Sequence, residues 1–237
     1  MSPLDLLSIG RVSVDLYAEQ PGVTMSDVTT FRKSIGGTAT NVAVATARYG
    51  HAVALATRVG DDQFGRYVAD ALRNTFNVDP RFVAAHPTLK TPLAFAELDP
   101  PEDPTIIFYR EPAAPDMEIE TTPQLLDAVD TARIFWIPAS RFAFDRSRTT
   151  VTELLQRRNR KHHTVLDLDW RPMFWDSEEQ AHAAISPMLD HVTIAIGNRK
   201  ECEVAVGTDD PDEAADRMLD RGLDAAIVKL GSDGVMV

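Results

Sequence analysis

Short apolar, β-branched runs recur along this chain with segments of helical period between them, and no other feature limits its folding as strongly. The runs are residues 6–10, 52–57, 134–137, 165–168, 193–196 and 225–228. The helical segments are 39–49, 64–76, 148–160 and 214–220. Strands joined through helices run parallel, because a parallel pair needs a crossover connection and cannot use a tight hairpin. Such a chain is expected to be α/β, with a doubly wound, mostly parallel sheet covered by helices on both faces. At 237 residues, 44% of them hydrophobic, it can bury the core of one large domain.

Four strand-like pieces break the alternation: residues 12–17, 30–34, 92–98 and 105–109, the last two separated by a turn with Pro100, Pro101 and Pro104. They cannot enter the parallel layer without long crossovers. They are expected to form a small β-sheet lid, residues 12–35 and 90–111, beside the ligand edge of the main sheet, where it would exclude water.

Ligands of open parallel sheets bind beyond the carboxyl ends of the strands. Those ends collect Asp15; Gly60 and Asp61; Asp167, Asp169 and Arg171; Gly197 and Asn198; and Lys229, Gly231, Ser232 and Gly234. Gly60 and Gly65 have the spacing of a phosphate loop, but Asp61 and Asp62 stand where phosphate would sit and Arg66-Tyr67 replaces the lysine–hydroxyl pair. Neither a dinucleotide fingerprint after the first strand nor a nucleophile elbow is present. A net charge of −12 argues against a nucleic-acid partner, and the basic run Arg157, Arg158, Arg160, Lys161 reads as one solvated helix end. The adjacent His162 and His163 face apart and make poor metal ligands. One cysteine, Cys202, rules out an internal disulfide and reads as a buried apolar residue. The N-terminal segment has no basic leader and no apolar run reaches membrane-spanning length, so a soluble cytoplasmic protein without membrane contact is expected.

The run Gly36-Gly37-Thr38-Ala39-Thr40-Asn41-Val42-Ala43, followed by Gly50 and Gly60, resembles the N-terminal signature of the ribokinase-like (PfkB) carbohydrate kinases. The resemblance continues through Asp15, the Val59-Gly60-Asp61-Asp62 turn, Asn198 with Glu201, and the stretch from Lys229 to Gly234. It implies a phosphotransferase that moves the γ-phosphoryl group of ATP onto a sugar hydroxyl, in a single ribokinase-like domain over residues 1–237. Asp15, Gly36, Gly37 and Asn41 would bind the sugar. Asn198, Glu201, Lys229, Gly231 and Gly234 would serve ATP and Mg²⁺, Glu201 reaching the metal through water. Asn198 and Glu201 also have the spacing of a helix capping box, so both roles are expected of them. The resemblance also implies a monovalent cation such as K⁺ and a homodimer joined through the lid.

Within the family, Gly10 to Tyr17, Phe31-Arg32-Lys33 and Phe108 to Glu111 resemble the 5-dehydro-2-deoxygluconokinase branch of inositol catabolism. Asp167 to Pro172, with Trp175, resembles both that branch and the 2-keto-3-deoxygluconate kinases. Both substrates are sugar acids, and Arg110 and Arg171 would take the carboxylate, since a guanidinium fork matches it with two hydrogen bonds. A 2-keto-3-deoxygluconate kinase or a fructokinase-like enzyme is the alternative among enzymes. The family's C-terminal G-A-G-D-like loop, which carries the general base, has no counterpart in the sequence. The base is therefore expected beyond Val237, the family fold is expected to be incomplete, and little turnover is expected of these 237 residues alone. A non-catalytic sugar-binding remnant is the alternative of another class.

Overall fold

The computed structural model describes residues 3–99 and 105–237. In chain order they form β1 (Leu6–Ile9), β2 (Ser13–Ala18), β3 (Phe31–Gly36), α1 (Thr38–Arg48), β4 (Val53–Gly60), α2 (Gln63–Asp70) and β5 (Val83–His86). Then come β6 (Leu93–Glu97), β7 (Thr105–Tyr109), α3 (Pro123–Thr131), β8 (Ile134–Pro138), α4 (Asp145–Arg158) and β9 (His163–Asp167). The rest is α5 (Glu178–Ile185), β10 (Ile194–Asn198), α6 (Arg199–Val206), α7 (Pro211–Leu219), β11 (Ala225–Lys229) and β12 (Val235–Met236).

The main sheet has the order β12-β11-β10-β9-β8-β1-β4-β5, parallel except for β12, which pairs antiparallel with β11. All four residues of β1 are buried, as suits a central strand covered on both faces. Alternation sends Leu7 and Ile9 into one apolar cluster, with α3 to α7, and Leu6 into the other, with α1 and α2. Small residues set the fit of α1: Ala39, Ala43 and Ala47, four apart on one face, are buried against the sheet. Gly50, at φ 86°, then carries the chain out of the helix.

The four anomalous pieces form a separate sheet of order β3-β2-β6-β7. The Pro-rich turn lies outside the described residues. The edge strand β5, paired with β4, is too short for periodicity to reveal. The second helical segment is not a uniform helix, since α2 passes into a π-helical turn over Ala71–Thr75.

The basic run is only in part a solvated helix end: Arg157 and Lys161 are exposed, but Arg158 is not. Arg158 is fully buried and donates to the carbonyl oxygens of Val129 and Ala132 and to the Thr164 hydroxyl. Arg157 pairs with Asp130, and Arg160 donates to the carbonyl of Gly222. Arg158 thereby satisfies carbonyls that burial would otherwise leave unpaired. Cys202 is buried on α6, as expected, and burial pushes its thiol up to about 11. Among the described residues no helix is long and apolar enough to cross a membrane.

Candidate active site

The strand order reverses between β1 and β8, and the crevice beyond that point is where doubly wound sheets hold ligands. The small sheet borders it. Ser13, Asp15 and Tyr17 alternate along β2 toward a cleft of about 510 Å³, and Ala94, Ile106 and Phe108 line it from β6 and β7. The start of α1 contributes Gly37, Thr38 and Asn41, and Arg11, Arg110, Arg171 and Met173 complete the wall.

Asp15 takes a 2.5 Å hydrogen bond from the Ser13 hydroxyl. Burial raises its carboxyl above the ordinary range, against the opposing pull of the Ser13 and Tyr17 hydroxyls. Gly36 does not line the cleft; a side chain there would strike the Asp15 carboxylate, so this glycine makes room for it. Gly37, at φ 103°, starts α1 with its Cα packed against the backbone of Arg11 and Val12. The Thr40 hydroxyl donates to the Arg11 carbonyl at 3.0 Å and ties the same turn to the helix.

Arg110 and Arg171 both reach the cleft, and each has an internal acid partner that sequence reasoning missed. Arg110 Nη2 donates to Asp116 Oδ1 at 2.5 Å, and Arg171 Nη2 lies 2.8 Å from Asp169 Oδ1. Asp116 is fully buried; its Oδ2 accepts from the Val12 backbone N–H at 3.0 Å, and its carbonyl accepts from the fully buried Arg141. Asp169 also accepts from Arg11 Nη2 at 3.1 Å and from the Ser140 hydroxyl at 2.6 Å. Asp169 is legible in the sequence as a strand-end carboxylate, but Asp116, Ser140 and Arg141 carry no local signal. Asp15 is the carboxylate in the cleft lining, and no residue is assigned as general base.

The nucleotide-side candidates gather at the ends of β9, β10 and β11. Asn198 caps α6, accepting from the Glu201 N–H at 2.9 Å, while Glu201 Oε2 accepts from the Asn198 N–H at 2.7 Å. The capping box expected from the spacing is present. Lys229 Nζ lies 3.3 Å from Glu201 Oε2 and 3.9 Å from Asp167 Oδ1. Gly231 and Gly234, at φ 65° and 99°, shape the exposed turn between β11 and β12. Among the described residues no group of three or more His, Cys, Asp or Glu side chains could hold a metal alone. Mg²⁺ does not require such a group, since it usually keeps several waters and takes one or two carboxylates beside substrate phosphates.

Burial raises the Asp167 carboxyl to about 6, against the pull of the Lys229 charge. A folded-state pKa above the unfolded value stabilises the fold at low pH, and that contribution is lost as pH rises through the folded pKa. Denaturation of wild type and Asp167→Asn between pH 4 and 7 is therefore expected to show the variant gaining relative stability as pH rises. The gain should be on the order of 2–3 kcal/mol. A difference independent of pH would contradict the shift.

The chain belongs to the pfkB family of carbohydrate kinases, whose family model matches residues 4–237. Membership makes it a sugar kinase, a phosphotransferase, and implies ATP and a divalent metal. The 5-dehydro-2-deoxygluconokinase of Geobacillus thermodenitrificans (strain NG80-2) is 31% identical over 238 residues, covering 98% of this chain and 70% of that protein. A PfkB protein from Polaromonas sp. JS666 superposes with a TM-score of 0.86 at 24% identity, covering 98% of this chain and 78% of the other. The fructokinase of Halothermothrix orenii gives 0.81 at 21% identity, with 98% and 81% covered. These neighbours share the ribokinase-like fold.

Proposed function

We propose that this kinase acts on a sugar acid, 5-dehydro-2-deoxygluconate, with Mg-ATP as phosphoryl donor. The observation that carries the reading is the meeting of Arg110 and Arg171 with Asp15, Gly37 and Asn41 around one cleft. A neutral sugar offers two guanidinium groups only uncharged hydroxyl acceptors, whereas a carboxylate can accept charge-assisted hydrogen bonds from both. The relatives named 5-dehydro-2-deoxygluconokinase support that substrate over 2-keto-3-deoxygluconate.

In this reading Asp15 and Asn41 bind and orient the hydroxyls, and the arginines hold the carboxylate at the opposite end. The small sheet acts as the lid that excludes water. Lys229 would neutralise phosphate charge, and Glu201 with Asp167 would offer carboxylates toward the divalent metal. Mg²⁺ would neutralise charge on the phosphates. Phosphoryl transfer depends on such positioning and neutralisation more than on covalent chemistry from the protein. Tyr109 is exposed on the face of β7 opposite to Ile106 and Phe108, and a second copy docked through the lid would cover it.

A thermal-shift panel tests the substrate class. At a hundred times its Kd a ligand stabilises by about 2.7 kcal/mol, which is roughly 5–10 °C for a chain of this size. That shift is expected with 5-dehydro-2-deoxygluconate, and a much smaller one with fructose. A larger shift with fructose would overturn the sugar-acid reading in favour of the fructokinase-like one.

A further inference from the structure

Arg11 follows β1 and Ser140 follows β8, the two strands that flank the reversal of strand order. The Arg11 side chain is 7% exposed, yet it lines the same cleft as Arg110 and Arg171. It is held on several sides. Its Nη2 donates to the Thr38 hydroxyl at 2.5 Å and to Asp169 Oδ2 at 3.1 Å, and the Phe174 ring lies 5.4 Å from its guanidinium carbon. Its Nε is buried without a hydrogen-bond partner.

The charges do not balance around it. Asp169 is one carboxylate shared by two guanidinium groups, with Arg171 on Oδ1 and Arg11 on Oδ2. It also takes the Ser140 hydroxyl at 2.6 Å and the Thr38 hydroxyl at 3.4 Å, so little accepting capacity remains. Asp116 is committed to Arg110 and to the Val12 N–H. Burial first, and then the charges of Arg110 and Arg171, push the Arg11 pKa down against the pull of Asp169 and Asp116. A cation this desolvated and this close to two others is relieved by an anion arriving from the open side of the cleft.

We propose that Arg11 is a third recognition residue for the substrate carboxylate, and that Asp169 is the positioning residue that sets Arg11 and Arg171 side by side toward it. The proposal rests on the sugar-acid reading above. It also gives Asp169 a function beyond ordinary ion pairing, since one rigid carboxylate fixes two forks at once, with Ser140 and Thr38 fixing the carboxylate.

The test is calorimetric titration of wild type, Arg11→Met, Asp169→Asn and the double variant with 5-dehydro-2-deoxygluconate and with its primary amide, which keeps the skeleton and loses the charge. Wild type is expected to prefer the acid. Arg11→Met should weaken the acid by about tenfold to a hundredfold and leave the amide nearly unchanged. Asp169→Asn should also lose affinity for the acid selectively, and the double variant should add little to Arg11→Met, because the two residues act as a unit. Should Arg11→Met fail to fold by circular dichroism, Arg11→Lys keeps the charge without the fork and should lose part of the preference for the acid. Equal losses for acid and amide would make Arg11 a structural residue and overturn the proposal. A preference for the acid that Arg11→Met, or in its absence Arg11→Lys, leaves undiminished overturns it alone. A wild type without any preference overturns the sugar-acid reading as well.

Discussion

Replacing Asp116 by alanine is expected to destabilise the protein by about 3–5 kcal/mol, the usual result of removing one partner from a buried ion pair. The side chain is fully buried and joins elements far apart in sequence. It accepts from the Val12 N–H where the chain leaves the first strand for the small sheet, and from Arg110 at the end of β7. Alanine would leave the mostly buried Arg110 and the fully buried Arg141 without their nearest carboxylate. Arg141 already bears the cost of burial, which lowers its pKa to about 10, and Asp116 is the charge that opposes the fall. For a chain of this length the loss corresponds to a melting temperature roughly 6–20 °C lower. Asp116→Asn keeps an acceptor for the Val12 N–H and should lose less. Thermal denaturation showing alanine within about 1 °C of wild type would mean that water or a rearranged side chain replaces the carboxylate at little cost.

Gly37→Ala is expected to disable sugar binding while sparing most of the fold. The residue lies at φ 103°, in a region that L side chains rarely adopt, and an added Cβ would run into the carbonyl oxygen of Arg11. The obstacle is backbone, so the side chain cannot rotate away. Either the turn carrying Arg11 or the start of α1 must shift, and both line the cleft with Thr38 and Asn41. Displacements of about 1 Å in a positioned site cost on the order of a hundredfold. Calorimetry with 5-dehydro-2-deoxygluconate should show a loss of that order, with far-ultraviolet circular dichroism unchanged. Unaltered affinity would mean that the glycine turn takes no part in binding.

The architecture was legible because its cause is local. The central strands announce themselves as apolar runs and α1, α2, α4 and α7 as 3.6-residue repeats, though α3, α5, α6 and the short β5 do not, and four strand-like pieces that fit neither layer leave little but a second sheet. The misreadings share a different cause. Arg158 looked like a surface charge because a sequence does not reveal that Val129 and Ala132 end with carbonyls buried beside it. Asp116 lies in an irregular stretch without periodicity, and its partner Val12 is 104 residues away. Arg11 was visible in the Gly10-Arg11-Val12 run, but its link to Asp169 spans 158 residues. Residues at the strand ends could be listed in advance. The pairing of each charge there depends on the order of strands in the sheet, which the alternation alone does not fix.

In the proposed function the cleft between the small sheet and the switch point receives a sugar acid, hydroxyls on Asp15 and carboxylate on the arginines. A crystal structure of the protein with 5-dehydro-2-deoxygluconate and a non-hydrolysable ATP analogue measures this directly. Carboxylate oxygens are expected within about 3 Å of guanidinium nitrogens of Arg110 and Arg171, and a hydroxyl within hydrogen-bond distance of Asp15. A carboxylate turned to solvent, with hydroxyls on the arginines, would contradict it, as would a ligand bound outside this cleft.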